Sequence, residues 1–361
     1  MIAASSGPSG YWLLRSWQKS PSLWKVNMRR AFCDYLKATP EELAQIWKDA
    51  AFSFDASVLL NVFGYSTNTQ QQLLQVLEGL KERVWLPHQF GLEYFRNRAK
   101  VIIKQVANYL HVENELKKLH KEKIIPLRDH PFFSRKAQSA FDRILRELEG
   151  NRKAMEALIS TDPHTDRILS VFDGRVGAAP SQQELKQWHD EARARYQQKV
   201  PPGYEDLKEK GDPGAFGDFI GWVQLIEICK QHKKPVILVT DDSTEDWWQI
   251  EKERRVGPRP ELVVEFRGKA GQRLHMYNSE SFLRDAERFL ETPIDKGTLA
   301  EVKERLSAAI EDQRSAKPSD VETLLKYYDA LSPPDSSKPE RVSEPENRPK
   351  QIPVKPEQDA P

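Results

Sequence analysis

A chain of 361 residues with 39% hydrophobic content is long enough for one large or two ordinary domains around a genuine core. Lys and Arg number 55 against 54 Asp and Glu, a net charge of +1, which excludes a global polycation and leaves nucleic-acid contact to local surfaces. The two cysteines, Cys33 and Cys229, form no CxxC pair, which argues against a disulfide framework or a zinc site, and no apolar run reaches the about 18 residues of a membrane span.

Residues 1–27 scatter aromatics and bases (Tyr11, Trp12, Trp17, Lys19, Trp24, Lys25) without a continuous apolar stretch, so no signal peptide is read and a cytoplasmic location is expected. Met28 is a candidate start. Met28 to Ala51 reads as helix, with Thr39 as N-cap, Pro40 at the first helical position, and Leu43, Ile46 and Trp47 on one face. Residues 1–50 are accordingly taken as an N-terminal extension and packing helix.

Ala51 to Phe54 reads as a strand closed by Asp55, and Thr67 to Lys81 as a helix through Leu73, Leu74, Leu77 and Leu80. Arg83 to Pro87 reads as a second short strand. From His88 the pattern is helical, placing Glu93 in the first turns after that strand, followed by the bases Arg96, Arg98 and Lys100. Residues 101–210 have the look of a helical insertion, interrupted by loops at Asp162-Pro163-His164 and Gly174 to Ser181.

Lys208 and Lys210 then lead to Gly217-Asp218, which opens the best-patterned helix, Phe219 to His232. Pro235 to Thr240 is the clearest strand and runs into Asp241-Asp242. Glu261 to Phe266 and Arg273 to Tyr277 are two further strand candidates, and Leu283 to Leu290 and Thr298 to Ile310 are closing helices. Short strands alternating with helices argue for an α/β fold with a mainly parallel sheet. Residues 51–290 form the main domain and 291–331 a C-terminal helical part with an apolar patch at Val321 to Leu331. Residues 332–361, proline, serine and charge, read as a disordered tail.

Asp55, Glu93, Asp218 and the Asp241-Asp242 pair all stand at strand ends or helix starts. Taken singly, Asp55 and Asp218 read as helix caps, and Asp241-Asp242 before Ser243 as a turn and cap. In a parallel sheet, however, strand carboxyl ends share one edge, and like charges gathered there need a cation. A hard divalent ion, magnesium or manganese, suits carboxylate oxygens, and the chemistry such a site best supports is metal-assisted phosphodiester hydrolysis.

The order Phe54-Asp55 with Asn61, then Trp85-Leu86-Pro87 before Glu93, then Gly217-Asp218-Phe219-Ile220-Gly221-Trp222, then Val239-Thr240-Asp241-Asp242 with Glu245-Asp246-Trp247-Trp248, resembles the PIN-like nuclease family over roughly residues 50 to 285. It is most similar to a bacterial branch with a long helical insertion. The resemblance implies a three-layer α/β/α domain whose acidic pocket binds magnesium or manganese and cuts RNA, or single-stranded or structured DNA. Carried over by position, Asp55, Glu93, Asp218 and Asp242 are the catalytic acids. The family's Thr-x-Asp pattern selects Asp242, with Asp241 as an additional or substitute metal ligand. Arg96, Arg98, Lys100, Lys208 and Lys210 are candidates for holding substrate phosphates, and Asn61 and Thr240 for supporting the acids. RNA is favoured over DNA as partner, a toxin-like or defence role is implied, and a homo-oligomer or regulatory protein partner stays open. The alternative is a catalytically silent member that binds nucleic acid or protein.

Overall fold

Asn27 caps a one-turn helix, α1 (Met28–Ala31), by accepting from the amides of Arg29 and Arg30. The helix expected to run from Met28 to Ala51 breaks here and restarts as α2 (Pro40–Asp49), because the proline ring pushes Thr39 out of helical backbone. Thr39 and Glu42 then exchange the two bonds of a capping box. These elements belong to a computed structural model that describes residues 27–127, 135–252 and 254–315. The aromatic N-terminal stretch, the patch at Val321 to Leu331 and the expected disordered tail lie outside the described residues.

The sheet is parallel with order β1-β2-β5: β1 (Ala51–Phe54) pairs with β2 (Val236–Val239), which pairs with β5 (Leu274–Tyr277). Every position of β1 and β2 is buried. Since successive side chains point to opposite faces, both faces are covered by helices. Trp47 of α2 stacks on Phe282 and Phe289 and meets Phe52 and Tyr277, closing one part of the core.

After β1 come α3 (Ala56–Asn61), α4 (Thr67–Gly79) and the 32-residue α5 (His88–Leu119). The strand expected at Arg83–Pro87 is reduced to two isolated bridges, Phe52 with Val84 and Leu86 with Val176. Pro87 has no amide to continue the ladder, and α5 starts at the next residue. The insertion is helical, as expected. It comprises the outer part of α5, α6 (Arg135–Ala157) packed against it, α7 (Pro163–Phe172), α8 (Gln182–Gln197) and the single turn α9 (Leu207–Lys210).

The chain returns through α10 (Gly217–His232) into β2, then forms an antiparallel hairpin, β3 (Trp248–Glu251) and β4 (Arg254–Pro258). The strand expected at Glu261–Phe266 is instead part of α11 (Pro260–Ala270). Pro260 presets the first helical turn, and the buried pair is Leu262 and Phe266, spaced by four, while Val264 is exposed. The helices α12 (Ser279–Leu290) and α13 (Lys296–Ser315) follow β5.

One polar junction fastens the insertion to the sheet domain. Arg195 of α8 donates from both terminal nitrogens to Glu265 of α11, at 2.6 and 2.8 Å, and lies over the Phe219 ring of α10. Glu265 also accepts from Trp222 Nε1 at 3.1 Å. Both cysteines are free, and no helix among the described residues is long and apolar enough to cross a membrane.

Candidate active site

Because β1 and β2 run in parallel and in register, Asp55 and Thr240 leave the sheet side by side: the Asp55 amide donates to Val239 O and the Thr240 amide to Tyr277 O, both at 2.9 Å. Asp55 precedes α3 but makes no capping bond to its amides. Its Oδ2 accepts instead from Ser57 Oγ at 2.6 Å and Thr240 Oγ1 at 2.9 Å. A cap is therefore not what this aspartate provides.

Asp218 likewise lies inside the first turn of α10 rather than at its cap, and its Oδ2 accepts from Trp247 Nε1 at 3.1 Å. Glu93 projects from the second turn of α5, where Gln89 Nε2 donates to its Oε1 at 2.7 Å. Its carboxylate is pressed on the backbone beside Asp218: a Cβ added to Gly217 would stand 2.0 Å from Glu93 Oε1. That close approach needs a glycine at position 217.

The two adjacent aspartates after β2 divide sharply. Asp241 is fully engaged, accepting from Ser279 N at 2.8 Å, Ser279 Oγ at 2.6 Å and Asn61 Nδ2 at 2.7 Å, so it secures the start of α12. Asp242 takes both bonds from Thr244 on one oxygen, Oδ1, at 2.8 and 2.6 Å, and its amide donates to Thr240 Oγ1 at 3.1 Å. Thr240 and Asn61 thus hydrogen-bond to these aspartates.

Burial and mutual repulsion act on these groups together. Burial pushes Asp218 well above the usual carboxylate range, with Asp242, Asp206, Glu93 and Asp55 adding to the rise. Burial, reinforced by Asp55, lifts Glu93 to about 7. Burial also lifts Asp242 to about 6, with Asp246 and Asp55 adding and the Thr244 bonds opposing. The four acids are one electrostatic cluster, and it is short of positive charge.

Two further members of the cluster carry no role in the sequence reading. Asp206, in the turn before α9, accepts from Lys210 Nζ at 2.5 Å, and Asp246, which is buried, accepts from the amides of Gly203 at 2.7 Å and Glu205 at 3.3 Å. Both lie in loops without periodicity, and the only signal available was their proximity in sequence to Lys210 and Asp242. Trp247 and Trp248, 1% and 3% exposed, belong to the core, so neither ring is open for stacking on a base.

Of the five bases expected to hold substrate, Lys210 alone is tied to this cluster: burial opposes its charge, but Asp206, Asp218 and Glu93 hold it protonated. Lys208 is exposed beside Glu205, and Arg96 and Lys100 are exposed on α5. Arg98 serves the insertion instead, bonding Asp162 at 2.7 Å and the carbonyls of Leu158 and Ile159. Arg96 and Lys100, four residues apart, share one face of α5, whereas Arg98 between them points to another and is claimed by Asp162, so the three do not act as a group.

The donors are all hard oxygens in a cation-poor cluster, which fits magnesium or manganese and not zinc. Among the described residues no three His, Cys, Asp or Glu already stand in an arrangement ready to hold a metal ion, so the fit is one of charge and donor type. The family described as PIN like domain matches residues 51–262, a span that includes all of these carboxylates. Neither curated proteins nor solved structures give a match.

Proposed function

The chain belongs to the PIN-like domain family, and on that premise we propose that it is a divalent-metal-dependent nuclease acting on RNA or on single-stranded or structured DNA. The observation that carries this reading is the mutual electrostatic coupling of Asp55, Glu93, Asp218 and Asp242 at the carboxyl edge of a parallel sheet. Asp55, Glu93, Asp218 and Asp242 would hold the metal. Asp241 is assigned a supporting role, since Ser279 and Asn61 engage both its oxygens.

A bound divalent ion supplies activation of water and charge neutralisation at the leaving oxygen. The protein's own groups prepare the site. Thr240 and Ser57 fix the Asp55 carboxylate, Trp247 fixes Asp218, and Gln89 fixes Glu93 against Gly217. Lys210 Nζ offers a positive charge to the substrate phosphate beside the acids. RNA is the favoured polymer, and a toxin-like or defence role follows from the resemblance alone.

The test is cleavage of end-labelled RNA and single-stranded DNA with manganese, comparing the unaltered chain with Asp55→Asn and Asp218→Asn. We expect cutting by the unaltered chain and a loss of at least about 100-fold in each variant. Equal cleavage by all three would sink the site. Binding without cutting would point to the silent, nucleic-acid-binding alternative.

A further inference from the structure

We propose that the β3–β4 hairpin is a phosphate clamp for the nucleic acid, with Arg255 taking a phosphate next to the acids; the inference rests on the nucleic-acid reading above. The hairpin follows directly on the acidic loop and belongs to no larger sheet. Its Arg255 guanidinium lies over the Trp248 ring at 4.3 Å. Trp248 is itself fastened to the site, since its Nε1 donates to Asp242 O at 2.6 Å.

Arg255 is half-buried, yet among the described residues it makes neither an ion pair nor a hydrogen bond. Two other arginines of this region are paired: Arg259 holds Glu261 and Glu245 O, and Arg195 holds Glu265 through its two terminal nitrogens. Asp241 and Asp242 lie close enough to act on Arg255 electrostatically, but Ser279 and Asn61 occupy both Asp241 oxygens, Thr244 occupies Asp242 Oδ1, and neither aspartate forms an ion pair with Arg255. Stacking on a tryptophan face leaves all five N–H donors at the guanidinium edge for a phosphate, which they can bind in bidentate fashion.

The hairpin tip alternates in charge, with Glu251 and Glu253 in sequence against Lys252 and Arg254, so it is Arg255 and not the tip that adds positive charge. Lys252 adopts φ +47°, a left-handed conformation that glycine or asparagine occupies at lower cost, and Arg254 beside it is exposed. A polyanion drawn toward an acidic cluster needs cations that are not already neutralised. Lys210, with Nζ 2.5 Å from Asp206, is held in an ion pair, whereas among the described residues Arg255 is in none.

The test uses the full chain and a fluorescein-labelled single-stranded RNA oligonucleotide. Anisotropy titrations across a salt series are made in the Asp218→Asn background, which prevents cutting, with and without Arg255→Ala or Arg255→Lys. Steady-state cleavage is measured for the same Arg255 substitutions with Asp218 intact. We expect Arg255→Ala to weaken binding about tenfold and to flatten the slope of log Kd against log salt by about 0.7, one phosphate contact on a single strand. Arg255→Lys should restore the slope but only part of the affinity. In cleavage, KM should rise about tenfold with kcat changed less than about threefold. Unchanged affinity and slope in Arg255→Ala overturn the clamp and make the stack structural, whatever the melting temperature does. Binding that depends on Arg255 in a chain that never cuts sustains the clamp and rejects the nuclease reading.

Discussion

The Thr240 hydroxyl donates to Asp55 Oδ2 at 2.9 Å and accepts from the Asp242 amide at 3.1 Å, joining two acids that reach the site from different strands. Thr240 has no exposed surface, so nothing from solvent can replace it. Thr240→Val keeps the shape and removes the bridge. The expected result is a fall of about 10- to 100-fold in manganese affinity, read from activation curves or calorimetry. A stability loss of about 1–3 kcal/mol should accompany it, and Thr240→Ser should recover both.

Asp241 and Asp242 should separate when stability and rate are measured on the same proteins. Asp241→Asn leaves one acceptor oxygen for three donors, so its melting temperature should drop, by the equivalent of roughly 1–3 kcal/mol, with the smaller effect on cleavage. Asp242→Asn removes a charge that burial and its neighbours disfavour, so its melting temperature should hold or rise while cleavage falls by at least about 100-fold. The reverse pattern would reassign the ligand.

Glu93, lifted to about 7 by burial and Asp55, gives a pH signature without metal. In the unfolded chain it titrates near about 4.3, so between that value and about 7 the folded protein holds the extra proton, and stability rises as pH falls. Glu93→Gln removes the ionised form. The variant should exceed the unaltered chain in stability by roughly 1–3 kcal/mol at pH 8, with the advantage shrinking as pH falls through 7 and nearly gone by about pH 4. His275, lowered to about 4 by burial, loses stability in the opposite direction below about 6.5, but it is common to both proteins and cancels in the difference. Chemical denaturation at a series of pH values with chelator present provides the measurement.

Gly217→Ala would place a Cβ 2.0 Å from Glu93 Oε1, an atom at the end of a flexible side chain. The carboxylate should swing aside while the fold survives, so melting should shift by only a few degrees and cleavage should fall by at least about tenfold. Gly214→Ala, in the turn just before, meets only Lys210 Cβ at 3.6 Å and serves as the neutral control.

What was legible before the structure follows a physical divide. Ala51–Phe54 and Val236–Val239 are short apolar runs with an acid at the carboxyl end, so strand, sheet edge and ligand candidates could be read together. Glu261–Phe266 could not be resolved, since a short apolar run fits both periods and only Pro260 spoke for helix. Asp206 and Asp246 reach the site because the insertion folds back to lay Gly203 and Glu205 amides on Asp246, a tertiary event that leaves no periodic trace. Arg98 misled for the converse reason, since sequence adjacency to Glu93 says nothing about the Asp162 that claims it. Arg255 carried no signal until Trp248 and Asp242 were seen beneath it.

The pairing of β1 with β2 has a consequence for how the protein is made. Ala51 must find Val236 as its partner, so the central ladder cannot close until the whole insertion has left the ribosome. For that interval Phe52 and Phe54 have no strand beside them except the single bridge at Val84, and an unpaired apolar edge is prone to aggregate. Ordering of the acids must wait equally long, since Thr240 comes after β2 and Asp55 precedes the insertion. A nascent or truncated chain lacking β2 therefore has no assembled acidic cluster, and any catalytic power arises only once synthesis has passed residue 242.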